Sequence, residues 1–149
     1  MITVNSFLKN GKIFVPIETF NDRIKDPQYI EGAIELTVHN IRLIDMSMWD
    51  YIDQLWSYIA QGLNDIYNNN DFSTYFPDQP IKLSFTLINT TQLQVELSCN
   101  KETVVIVSKE EFISEVSKAA KLFFRSLSEI VPENRSAYSE IISNLEKIK

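Results

Sequence analysis

Histidine and cysteine each occur once in this chain of 149 residues, and glycine only three times. A lone cysteine, Cys99, excludes an internal disulfide, and such a chain is most simply read as the product of a reducing compartment. Cys99 also falls on the apolar parity at a strand end, where a free thiol behaves as a small hydrophobe. The single histidine, His39, is placed by its neighbours in a hairpin turn. Nucleophilic catalysis with a histidine base therefore has little to draw on, and no G-x-S-x-G signature marks a nucleophile. One histidine and one cysteine cannot build a zinc site without several carboxylates from distant segments. Glycines at 11, 32 and 62 supply neither a phosphate loop nor a dinucleotide fingerprint. The expectation is a protein with no cofactor, no metal and no catalytic residue of a familiar kind.

Long apolar runs are missing too: nothing approaches the roughly 18 residues of a membrane span. The opening "MITVNSFLKNGKIFVPIETF" lacks the basic start and apolar run of a secretory leader, so a cytoplasmic location away from membranes is expected. Basic side chains are scarce where acids gather. The net charge is −6; residues 1–80 hold eleven acids and five bases, whereas residues 81–149 hold nine of each. From 43 to 80 there are six aspartates and no lysine or arginine. Binding a phosphate backbone requires clustered lysine and arginine, so nucleic acid is disfavoured and a basic protein partner suits the charge better.

The length suits one domain, 1–149, able to bury about 68–70% of its unfolded surface. In "AIELTVHNIRLID", Ile34, Leu36 and Val38 alternate with polar residues. A turn at His39-Asn40 would pair Val38 with Ile41 and Leu36 with Leu43. Ser47, with Asp50 three positions on, reads as the start of a long helix. Its stripe of Ile52, Leu55, Trp56, Ile59, Leu63 and Ile66 recurs at helical spacing, with Trp49 at the margin, so both indoles should face inward. The asparagines at 68–70 end it, because asparagine tolerates the left-handed conformation. "IKLSFTL" and "LQVELSC" alternate cleanly and "TVVIV" at 103–107 continues as a strand. Ser108 and Glu111 open a second helix whose apolar stripe runs from Phe112 to Ile130, Pro132 interrupts it, and a C-terminal helix spans about 134–147. Lys118, Lys121 and Arg125, close to Glu111 and Glu115, read as a mixed solvated surface. The first thirty residues are hard to read, although Pro16 confines "GKIFVPIETF" to a sheet edge or bulge. Hairpins grouped around a long helix predict α+β: one antiparallel sheet of about five or six strands with helices on one face.

Candidate chemistry concentrates on the long helix. Asp50 and Asp53 are the best carboxylate pair for acid/base work. The dipole at the start of a helix is enough on its own to explain both, and is the favoured reading. On the face opposite the stripe, Asp50, Asp53 and Asp65 with Tyr51 and Tyr58 have the composition of a protein-binding patch, unless the tyrosine rings pack on the sheet edge. "DIYNNNDFSTYF" lacks the acidic third residue, the sixth-position glycine and the final glutamate of a calcium loop.

At "WDYIDQLWSYIAQGL", with its W-D-x-x-x-x-L-W spacing, and at "YFPDQPIKL", the chain resembles small bacterial proteins of the immunity type found in polymorphic toxin and contact-dependent inhibition systems. The likeness covers about residues 30 to 135. It implies an acidic cytosolic single-domain protein that neutralises a toxin domain by binding it, and it carries over no catalytic residue. The leading expectation is thus a non-enzymatic binding protein whose acidic surface meets a basic protein. The alternative is a small carboxylate-dependent hydrolase or ligand-binding protein, with a pocket between helix and sheet that holds at least two of Asp50, Asp53, Asp71 and Asp78. A homodimer through the wet sheet face or the acidic helix is a third.

Overall fold

The chain opens on a strand that its hydropathy conceals. Ile2, Val4, Ser6 and Leu8 point inward from β1 (Ile2–Asn10), and the polar third member interrupts the pattern. A computed structural model describes residues 1–148. β1 turns at Gly11, whose φ of 64° favours glycine, into the short edge strand β2 (Ile13–Pro16). Proline at the end of an edge strand leaves no ladder donor missing. On its other side β1 pairs antiparallel with β3 (Glu31–Val38), from Ile2 opposite Val38 to Leu8 opposite Gly32. A Cβ at Gly32 would run into the Phe7 carbonyl oxygen, which explains glycine at that crossing.

His39 and Asn40, at φ 50° and 66°, make the two-residue turn into β4 (Ile41–Ile44), with Val38 opposite Ile41 as the alternation predicts. Leu36 meets Ile44 rather than Leu43, because the register shifts between Leu36 and Thr37. That irregularity buries Leu43 and Ile44 together and leaves Ile41 exposed.

The helix predicted from Ser47 begins five residues later. Asp45 accepts a hydrogen bond from the Ser47 amide and closes a single 3-10 turn, Met46–Met48. The chain then extends as β5 (Asp50–Tyr51) against the start of β3 before α1 (Ile52–Tyr67) forms. The whole apolar stripe of α1 is buried, Trp56 completely. Burying an indole removes about 150–250 Å² from water, worth roughly 4–6 kcal/mol at 25 cal/mol/Å². Its N–H then requires a partner, and Trp56 Nε1 donates to Ser6 Oγ at 2.9 Å. The interruption in β1 is this acceptor. Asn69, at φ 64°, ends the helix as its residue type predicts.

A second antiparallel sheet holds β6 (Phe72–Tyr75), β7 (Lys82–Leu87), β8 (Gln92–Cys99) and β9 (Lys101–Ser108), in chain order. Leu83, Phe85, Leu93, Val95 and Leu97 face inward, as their alternation requires. Ser108 Oγ caps the Glu111 amide at 3.2 Å to start α2 (Lys109–Ile130). A 3-10 turn over Pro132–Asn134 leads to α3 (Arg135–Glu146), which buries Tyr138 and Leu145 and leaves Ala137 exposed.

The class is α+β, and among the described residues nine strands divide between two sheets rather than gathering in one. β4 lies beside β8 and β9 without a ladder between them. α1 packs on β3, β6 and β7, and α2 on β1 and β9, so the two helices straddle both sheets over one continuous core. α3 packs outside them. Among the described residues, no helix is long and apolar enough to cross a membrane.

Candidate functional site

The five residues expected on one acidic helix face, Asp50, Tyr51, Asp53, Tyr58 and Asp65, are distributed over three environments. Asp50 is a correction to that expectation: it is 2% exposed and precedes the helix. β5 turns its carboxylate toward the loop between β6 and β7. One oxygen accepts from the Asp78 and Gln79 amides at 3.1 and 2.9 Å, the other from the Tyr51 amide at 2.7 Å. Gln79 returns a bond from its side chain to the Trp49 carbonyl. This clasp fixes the loop to β5. Three N–H groups compensate the desolvation of a buried charge that would otherwise be prohibitive.

Asp53 stands in the first turn of α1, but α3 covers it. Tyr138 donates to Asp53 at 2.9 Å, Asn134 donates to the Tyr138 hydroxyl at 3.0 Å, and the same amide nitrogen reaches the Pro27 carbonyl at 2.9 Å. Burial pushes the Asp53 carboxyl above its ordinary value, outweighing the bonds from Tyr138 and the Gln54 amide that favour the anion. Burial likewise drives the Tyr138 hydroxyl far above the usual phenol range. These groups link the Pro27 loop, α1 and α3, and they have the character of a structural relay. Tyr58 is 38% exposed on the flank of α1, facing Ile141 and Asn144 of α3 across a groove. Asp65 is half-buried and bonded to Gln61 at 2.9 Å. Asp71 accepts from the Leu87 amide at 2.9 Å and pins the start of β6 to the end of β7.

Tyr51 has a different set of neighbours from those its helical spacing suggested. It lies opposite Glu31, and its ring meets Tyr29 edge-on with centroids 5.4 Å apart. Trp49, Tyr51, Glu31, Ser47, Asp78 and Gln79 enclose a shallow concavity of about 290 Å³, with Asp50 beneath them. The Tyr51 phenol is held above its ordinary range, first by lost hydration and then by the carboxylates of Asp78 and Glu31. One cation already rests here. Lys9 Nζ sits 4.4 Å from the Trp49 ring centroid and 3.9 Å from Glu31 Oε1.

Aromatic walls beside carboxylates are the chemistry that receives an ammonium or guanidinium group. Trp49 is half-buried at this surface rather than a core indole like Trp56. Tyr29 and Glu31 were not among the candidates, since only the pairing of β5 with β3 brings them to Tyr51, and Asp78 was one only for the hydrolase alternative; the signals in the sequence were the base-free window and Tyr51 itself. Two of the four carboxylates of the hydrolase alternative, Asp50 and Asp78, do border the concavity. It opens at the edge of the first sheet rather than between helix and sheet, and both Asp50 oxygens are committed to backbone amides. No three acidic, histidine or cysteine side chains converge as a metal site among the described residues. No family model, curated protein or solved structure matches the chain.

Proposed function

We propose that this protein is a non-enzymatic binding protein that captures a basic protein partner at the Trp49–Tyr51 concavity, in the manner of the immunity proteins its sequence resembles. The carrying observation is the Lys9 ammonium seated on Trp49 beside Glu31, an internal example of the contact a partner's arginine or lysine would make. Tyr29 and Tyr51 supply rigid contact area, and Glu31 and Asp78 supply the charge that steers encounter. Asp50 is 2% exposed and held by three backbone amides, a structural position out of a substrate's reach, which favours binding over acid/base chemistry.

The test is growth protection. The chain is co-expressed with each secreted-toxin domain encoded beside its gene, as wild type and as Tyr51→Ala combined with Asp78→Asn. Wild type should protect and bind one such domain, with affinity falling at least about tenfold in the double variant. Absence of any protected domain, or equal protection by the variant, overturns the proposal.

A further inference from the structure

A second depression lies away from the acidic edge, along the flank of α2. Tyr67, Thr91, Ile113, Ser114, Ser117 and Lys121 border a groove of about 580 Å³, within the range of small-molecule sites. Lys109, Ile113, Ser117 and Lys121 stand at four-residue steps and form one ridge along it. Ser117 distinguishes this groove from a surface dent. It is 6% exposed, and its hydroxyl makes no hydrogen bond among the described residues, so what remains open to solvent includes that oxygen. Ser128, on the same helix and equally buried, turns its hydroxyl back to the Phe124 carbonyl at 2.7 Å. Ser117 could make the same bond to Ile113 and does not. Its residual exposure opens into the groove.

The charge there runs against the rest of the molecule. Lys121, one turn beyond Ser117, makes no ion pair among the described residues. Lys109 is held by the neutral Asn69 amide oxygen at 3.0 Å, which leaves its charge uncompensated. Glu110 is the one carboxylate on the lining.

We infer that this groove binds a small amphipathic anion, its carboxylate or phosphate head between the Lys121 ammonium and the Ser117 hydroxyl and its apolar body along Ile113 and Tyr67. A hydroxyl and an ammonium on successive turns of one helix offer two donors to one oxyanion, and charge-assisted bonds in a partly desolvated groove are the stronger kind.

The experiment is a titration of the isotope-labelled full chain with octanoate, octyl phosphate and neutral octanol, read at the Ser114, Ser117 and Lys121 amides. Both anions should give saturable shifts, and octanol should bind at least about tenfold more weakly. A preference for one anion identifies the head group, and either preference upholds the site. Lys121→Gln should weaken octanoate about tenfold. Ser117→Ala should weaken it less and leave thermal stability unchanged or raised, because the lost hydroxyl had no partner. Octanol binding as tightly as octanoate, unchanged affinity in Lys121→Gln, or no saturable shift at the groove would each refute the assignment.

Discussion

Asp50 shows how a single carboxylate can be read correctly as polar and wrongly as exposed. Its charge is as buried as the core because three backbone amides converge on it, and no spacing rule in the sequence announces amides from a loop 28 residues away. Asp50→Asn would turn an N–H₂ group toward donors that need an acceptor. It should cost about 2 kcal/mol in chemical denaturation and release amide protection at Asp78 and Gln79 first; unchanged protection there would contradict the clasp. Asp53 makes the opposite prediction. Its folded carboxyl titrates above the ordinary 3.8. Its contribution to stability is therefore complete below that pH and is lost as pH rises through the folded value. Asp53→Asn should accordingly be as stable as wild type or more so at pH 7, by about 0.5 kcal/mol, with the advantage vanishing near pH 3. A constant difference across that range in urea titrations would assign the effect to packing instead.

At the level of elements, periodicity was enough for α1, α2, β7 and β8, because each lays an apolar stripe on the core, and it placed the His39–Asn40 turn although not the register shift beyond it. Strand β1 was lost to one inward serine, and β5 and β6 are too short to show a period. The start of α1 was misplaced because Asp45 and the β5 pairing, rather than a Ser47 cap, decide where extension gives way to helix. The candidate site was legible only in part: the base-free window and Tyr51 pointed to it, while Tyr29, Glu31 and Asp78 arrive through strand pairing and loop closure. Gly62 offers an element-scale test. It seats α1 against the second sheet, where a Cβ would lie 2.6 Å from the Phe72 ring and 2.9 Å from Phe85. Alanine there improves helix propensity by nearly 1 kcal/mol, yet overpacking should dominate and give a net loss of about 1–2 kcal/mol by thermal unfolding. A gain in stability would mean that the helix sits further from the sheet.

Across the whole molecule, opposite charges occupy different places. The acidic concavity lies at the edge where β3 receives β5, and the lysines of the groove stand on the far flank of α2. The proposed binding of a basic partner at that edge should weaken as salt shortens the Debye length toward about 3 Å at 1 M. The two tryptophans make the central claim directly measurable, since Trp56 is sealed against Ser6 while Trp49 stands at the concavity. The chain is titrated with a short arginine-containing peptide and, separately, with its glutamate counterpart, while both indole N–H resonances are followed. The arginine peptide should shift the Trp49 indole saturably, more strongly in Lys9→Ala than in wild type and less at high salt, with Trp56 unmoved. No shift at Trp49, or an equal shift with the glutamate peptide, would contradict a cation-binding surface at this edge.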